Sequence, residues 1–354
     1  MSKYPSLKVP RHLGQTALSI ARRLSILDRN LRITSTDTDV TIPLSKKPSE
    51  KDLAVIKSAL TDYKISSCSF KKRRSRPTNL IELLNGRLPP HLLASLPRAH
   101  DAVGDVVILE LPESLLAHGK TVGAAVRQLD SRCRTVLAKA GPVSDTFRTR
   151  GFTILAGERS TVTEHSEHGC LFRLDPRKVY FSPRLSYERQ RLASEVEPGE
   201  VIVDMFAGVG PISIMIARSV DVRRIYAIDI NPEAISFMLQ NVKLNRLRGK
   251  MTAVLADATG VPVNILARAA DRVIMNLPQK SLMLIPQSCS FLKPKGGVVH
   301  LYTFAPDGLP REALPETIRE EVESAGRRLV AMVTRTVKTV APRQWQLAYD
   351  IRIA

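Results

Sequence analysis

No stretch constrains this chain more than Glu200 to Pro278. Val201-Ile202-Val203-Asp204 is a short continuous apolar run closed by an acid, the pattern of a parallel strand covered on both faces. It breaks into Met205-Phe206-Ala207-Gly208-Val209-Gly210-Pro211, where two glycines allow a tight turn and a close approach of backbone to a ligand. The spacing then predicts a helix from about Ile212 to Ser219 and a strand over Arg224 to Ile228 ending in Asp229. A helix from about Pro232 to Leu247 follows, then a strand over Thr252 to Leu255 before Asp257. A last strand covers Arg272 to Met275 and ends in Asn276-Leu277-Pro278. Alternation of this kind builds an α/β, Rossmann-like sheet.

A glycine turn with an acid one βαβ unit later outlines a nucleotide-shaped pocket. A carboxylate at Asp229 could accept both hydroxyls of a ribose, and Asp257 could meet an adenine amino group. Ser213 stands where a dinucleotide fingerprint would have its third glycine. Together with the polar strand tips, this favours S-adenosyl-L-methionine over NAD. The competing reading is that Asp229 and Asp257 only cap the helices after them.

The chain has 354 residues, enough for two or three domains. Its formal charge is +19, from 53 basic and 34 acidic residues, which favours a polyanionic partner, nucleic acid first. A charge serving solubility alone is the alternative. Cys68, Cys133, Cys170 and Cys289 are scattered with no CxxC pair, which argues against a zinc site or a disulfide frame. No apolar run approaches membrane-spanning length, and the first residues lack a signal-peptide core, so a cytoplasmic protein without a membrane partner is expected.

The order of segments suggests four parts. Residues 1–70 read as a small α/β module for docking, with an apolar stripe at helical spacing in Gly14 to Leu27 and Ser49 as the N-cap of a second helix. Residues 71–98, opened by Lys71-Lys72-Arg73-Arg74-Ser75-Arg76, read as a basic linker. Residues 99–177 form a middle α+β module, where Arg148 and Arg150 would share one face of a strand. Such a pair suits a phosphate or a carbonyl gaining negative charge, or simply an exposed salt-bridging face. Residues 178–354 carry the sheet described above and end in an antiparallel hairpin. By pattern alone Glu188 is an ordinary surface glutamate in a helix from Arg184 to about Ser194.

Several motifs resemble one family. These are Phe147-Arg148-Thr149-Arg150, Leu155-Ala156-Gly157-Glu158, Lys178-Val179-Tyr180-Phe181-Ser182-Pro183-Arg184-Leu185 with Glu188-Arg189, Asp204 to Pro211, Ala227 to Pro232 and Met275-Asn276-Leu277-Pro278. The chain resembles the archaeal and eukaryotic-type tRNA (guanine-N1)-methyltransferases that act on guanosine at tRNA position 37. The resemblance implies a Rossmann-like class I methyltransferase domain preceded by two smaller modules, with S-adenosyl-L-methionine as cofactor. It implies Glu188 as general base, Arg148 as the cation facing guanine O6, and Asn276 as a holder of the guanine edge and of the cofactor. Tyr180, Arg189, Phe206, Gly208, Asp229, Ile230, Asp257, Ala258 and Pro278 would complete the cofactor site. The tRNA would be met at its anticodon loop and its elbow, by a single chain. Gly151, Ile212 and Val340 depart from the usual residues of the family. Two relatives are rivals: a bifunctional enzyme that also methylates the wyosine precursor, and an aminocarboxypropyl transferase. A tRNA-binding module with a relic cofactor fold is the non-enzymatic alternative.

Overall fold

The computed structural model describes residues 3–72, 77–144, 149–259, 266–304, 311–341 and 344–354. They fall into two units, Met1–Thr78 and Asn79–Ala354.

In the first unit, β1 (Tyr4–Pro10), α1 (Gly14–Arg23), β2 (Thr34–Ser35), β3 (Asp39–Pro43), α2 (Glu50–Ala59) and β4 (Lys64–Cys68) build an antiparallel sheet of order β2-β3-β1-β4. The apolar stripe Ala17, Ile20 and Ala21 packs on Leu7, Val9, Ile42 and Leu44. The first helix stops at Arg23, short of Leu27, because Ser25 takes a left-handed φ of 55° that ends the helical path. Ser49 caps α2 as expected: its Oγ accepts from Asp52 N at 3.3 Å, and Asp52 Oδ2 accepts from Ser49 N at 2.9 Å. The central strand β1 and the edge strand β4 have no counterpart in the sequence reading. Two prolines in the first and two serines in the second dilute the pattern that pairing then supplies.

The second unit begins with α3 (Leu80–Leu84), α4 (Pro90–Ala94), β5 (Asp101–Val103), β6 (Val106–Leu109), α5 (Glu113–Leu116), α6 (Gly119–Leu129), β7 (Thr135–Ser144) and β8 (Thr149–Gly157). Leu83, Leu84, Leu88, Leu92 and Leu96 are buried in one core with Val107, Leu109, Val122 and Val136. Residues 79–96 are therefore packed structure, where the sequence reading had a linker. The other side of the β5-β6-β7-β8 sheet shares its core with the larger sheet through Val103, Val106, Ile108 and Leu137. Gly151 has a packing reason: a Cβ there would stand 2.8 Å from Ala140 O on the paired strand.

The chain continues through β9 (Thr163–Glu167), β10 (Cys170–Leu174), α7 (Ser186–Ser194), β11 (Val201–Asp204), α8 (Pro211–Ser219), β12 (Arg224–Asp229), α9 (Pro232–Leu244), β13 (Met251–Leu255), β14 (Arg272–Met275), α10 (Ile285–Phe291), β15 (Gly297–Phe304), α11 (Leu314–Ser324), β16 (Leu329–Ala341) and β17 (Gln344–Ile353). Seven strands order as β13-β12-β11-β14-β15-β17-β16, with β17 antiparallel to both neighbours. Apolar side chains point both ways from the central strands. Ile202, Ile225 and Ile274 pack with α8 and α9, while Val203, Ile228 and Met275 pack with α10 and α11. Burial on both faces is why these strands read as unbroken apolar runs. The hairpin β9–β10 lies against the same core through Cys170, Phe172 and Leu174.

Candidate functional site

Strand order reverses at β11, between β12 on one side and β14 on the other, and a ligand crevice is expected beyond the carboxyl ends of strands at such a point. A cleft of about 290 Å³ opens there. Its walls include Tyr180, Arg189, Phe206, Gly208, Asp229, Ile230, Asp257, Ala258 and Asn276. Nine residues proposed from the sequence thus come together from five separate segments. Pro278 does not line the cleft. Its carbonyl instead accepts from Phe304 N at 3.3 Å and Thr303 Oγ1 at 3.4 Å, which ties the Asn276-Leu277-Pro278 tip to the end of β15. Arg148 lies outside the described residues.

The glycine turn is held by an acid. Asp229 Oδ2 accepts from Gly208 N at 2.7 Å, and Oδ1 accepts from Asn231 N at 2.9 Å. Asp229 is thereby fixed at the strand tip rather than capping α9. The cap is Asn231, whose Oδ1 accepts from Glu233 N at 2.9 Å while its Nδ2 donates to Lys178 O at 2.9 Å. The Asn231-Pro232 pair was the readable signal for this cap. Asp257 is exposed, and its Oδ1 accepts from Thr259 N and Oγ1 at 2.9 and 2.7 Å. Gly210 must be glycine, with φ 83° and a built Cβ only 3.0 Å from Met238 Cγ.

Beneath the turn, the fully buried Asp204 accepts from Ser213 Oγ at 2.7 Å through Oδ2, while Oδ1 has no hydrogen-bond partner among the described residues. Burial pushes its carboxyl up to about 7, against the lowering effect of Ser213. The third position of the glycine pattern is thus a serine that donates to one oxygen of this acid.

Arg189 reaches the cleft through the wall it supports. Its Nε and Nη2 donate to Glu167 at 2.8 and 2.6 Å, and Nη2 also donates to Ser182 O at 3.1 Å. The guanidinium stands 5.0 Å from the centre of the Phe181 ring. Glu167 had no signal in the sequence, because its partner lies 22 residues away.

Glu188 is buried, contrary to its surface-helix pattern, and borders a second cavity of about 280 Å³ with Arg184, Tyr187, Arg191 and Arg335. It accepts from Tyr302 Oη, a residue far along the chain on β15. Further missed members of the cofactor cleft are Leu277, Lys280 and Leu284, which follow the β14 tip.

A seven-stranded sheet with one reversed strand, a glycine turn after β11 and acids at the next two tips define a class I methyltransferase fold. The cleft suits the nucleoside end of S-adenosylmethionine: Gly208 brings backbone to its wall with no side chain to fill it, and the carboxylates of Asp229 and Asp257 stand among its lining. Residues 163–331 match the TRM5/TYW2 methyltransferase domain, 80–161 the TYW2 N-terminal domain and 6–52 the tRNA methyltransferase 5 N-terminal domain. The tRNA (guanine(37)-N(1))-methyltransferase Trm5b of Pyrococcus abyssi is 33% identical over 349 residues, covering 99% of both chains. The solved complex of aTrm5 and tRNALeu is similar with a TM-score of 0.82 at 32% identity, covering 99% of each chain. TYW2 of Methanocaldococcus jannaschii in complex with AdoMet has a TM-score of 0.57 at 30% identity, covering 72% of this chain and 99% of that one. This chain belongs to the archaeal and eukaryotic-type tRNA (guanine(37)-N1)-methyltransferase family.

Proposed function

We propose that the protein transfers the methyl group of S-adenosyl-L-methionine to N1 of guanosine at position 37 of tRNA. The observation that carries this reading is full-length similarity to Trm5b, at 33% identity, over a chain whose switch-point cleft is lined by nine of the residues expected to meet the cofactor. Asp229 takes the ribose hydroxyls, Asp257 the adenine amino group, and Tyr180, Phe206, Ile230 and Ala258 the flat faces. When bound, the cofactor supplies an electrophilic methyl group on its sulfonium.

Guanine N1 holds a proton at neutral pH, so a base must remove it. Glu188 is the residue proposed for this, and Asn276 holds the guanine edge. Arg148 is proposed, from the resemblance alone, to face the negative charge gathering on O6. The target base must leave the anticodon loop stack to reach these groups. The match of residues 6–52 to the Trm5 N-terminal domain and the charge of +19 support a long tRNA contact that includes the elbow. No helix among the described residues is long and apolar enough to cross a membrane.

The test is methyl transfer from labelled S-adenosylmethionine to tRNA transcripts bearing G or A at position 37, with Glu188→Gln in parallel. Transfer confined to the G transcript, and lost in the variant with cofactor affinity intact, is expected. Equal transfer to both transcripts refutes the specificity.

A second reading has one observation in its favour, the match of residues 80–161 to the TYW2 N-terminal domain. It would make the group moved aminocarboxypropyl. The TYW2 structure corresponds to only 72% of this chain, whereas the Trm5 comparisons run over 99%. Mass analysis of the modified nucleoside separates these products. Offering tRNA that already carries the wyosine precursor tests the bifunctional variant.

A further inference from the structure

Arg191 lies near Glu188 on α7, with a side chain only 10% exposed, at the centre of a charge network that the cofactor cleft does not use. Its Nη2 and Nε donate to Glu188 Oε1 at 2.6 and 2.9 Å. Its Nη1 donates to Glu195 Oε1 at 2.5 Å and to Asp350 Oδ2 at 3.0 Å. Tyr302 is 1% exposed and donates its hydroxyl to the same Glu188 Oε1 at 2.6 Å. Asp350 is itself held by Arg335 and by His300 Nδ1, the latter at 2.5 Å. Arg272 Nη1 is 2.6 Å from His300 Nε2. A guanidinium can only donate, so Nε2 accepts and Nδ1 carries the proton given to Asp350.

Glu195, His300 and Asp350 offer ligand atoms within 4.8 Å of one another, as a metal site would. Guanidinium groups of Arg191, Arg272 and Arg335 already engage these residues, so the cluster is a salt-bridged anchor. What the anchor holds is Arg191, and what Arg191 holds is one oxygen of Glu188. Three donor atoms from two side chains converge on Oε1, while Oε2 receives no hydrogen bond from the described residues. A carboxylate acting as a base needs one free oxygen in a fixed plane, and a glutamate left alone rotates about three side-chain bonds.

We propose that Tyr302 and Arg191 are positioning residues that clamp Oε1 of Glu188 and so commit Oε2 to the proton of guanine N1. The inference rests on the base role assigned to Glu188 above. In that step the N1–H bond breaks and an O–H bond forms at Oε2, while the electron pair left on N1 forms the new N1–C bond as the methyl–sulfur bond of the bound sulfonium breaks, its pair staying on sulfur and the thioether product leaving. Tyr302 and Arg191 keep their protons throughout. Burial, and then the nearby Glu188 charge, push the Tyr302 phenol well above its usual range, which keeps it a donor.

The experiment measures single-turnover methyl transfer at saturating tRNA and S-adenosylmethionine, with equilibrium affinities for both. The variants are Tyr302→Phe, Arg191→Lys, Glu188→Gln and the Glu188→Gln/Tyr302→Phe double. Tyr302→Phe removes one oxygen and no packing volume. It is expected to slow transfer about 10- to 100-fold with both affinities unchanged, the cost of a misplaced reacting group. Arg191→Lys keeps the charge, loses the fork, and is expected to show the same split. In the Glu188→Gln background, adding Tyr302→Phe should cost nothing more. A wild-type rate in Tyr302→Phe beside a slow Glu188→Gln overturns the clamp and leaves the base role standing. A further loss in the double variant equal to that in Tyr302→Phe alone overturns it too. A wild-type rate in Glu188→Gln overturns the base role itself, and the clamp falls with it.

Discussion

Replacing Glu167 by glutamine isolates the ion pair that supports one wall of the cofactor cleft. The two side chains are 5% and 4% exposed, and among the described residues Arg189 has no second carboxylate as a hydrogen-bond partner. Burial works against the Glu167 carboxylate, but hydrogen bonds from His165 and Arg189 outweigh it and hold the group down at about 2, from 4.5. At about 1.4 kcal/mol per pH unit, this displacement is worth about 3 kcal/mol. Removing one partner of a buried pair costs about 3–5 kcal/mol on general grounds, because it strands the other charge. The two routes agree, and Glu167→Gln is expected to lose about 3 kcal/mol at neutral pH. The assay is urea unfolding followed by the fluorescence of Trp345, the only tryptophan, which is half-buried against the core of the same unit. Because the folded-state value is depressed, the stabilisation is complete above about 4.5 and is lost as pH falls toward about 2. The gap between wild type and variant should stay constant from about pH 7 to about pH 5 and close below that. A loss under about 1 kcal/mol at neutral pH, or a gap unchanged at about pH 3, would refute the reasoning.

Asp204 has the opposite linkage. Its folded value of about 7 lies above 3.8, so the stability it contributes is full below about 3.8 and is lost as pH rises toward about 7. Asp204→Asn should therefore gain on wild type as pH rises from about 5 to about 8, by about 3 kcal/mol, and parallel pH profiles would refute a buried ionisation. Asp229→Ala removes the acceptor for Gly208 N and Asn231 N together with the proposed ribose contact. Calorimetric affinity for S-adenosylmethionine should fall about 10- to 100-fold, and an unchanged affinity would place the ribose elsewhere. Binding of tRNA should weaken about 100-fold or more between low and physiological salt, as counterion release requires. A flat dependence in filter binding would show that the excess positive charge serves another purpose.

Local order was legible wherever one stretch of chain decides its own structure. The apolar run Val201 to Val203, the glycines at 208 and 210 and the acids at 229 and 257 lie within one wound segment, so strand, turn and helix follow from adjacent residues. The cap at Ser49 was readable for the same reason. Glu188 carries a surface pattern because helical spacing says nothing about Tyr302, which reaches it, or Asp350, which holds its neighbour Arg191, only after the sheet is assembled. Arg189 pointed toward a cofactor by resemblance, yet its charge is neutralised by Glu167 on a separate hairpin. Residues 79–96 carried a linker's proline and charge pattern next to a basic run, and their leucines became core once α6 and the β6–β7 pair covered them. A turn or a cap is satisfied by neighbours a few residues away, so the chain itself encodes it. A buried charge is satisfied only by partners that folding brings from elsewhere, and the tertiary structure alone chooses them.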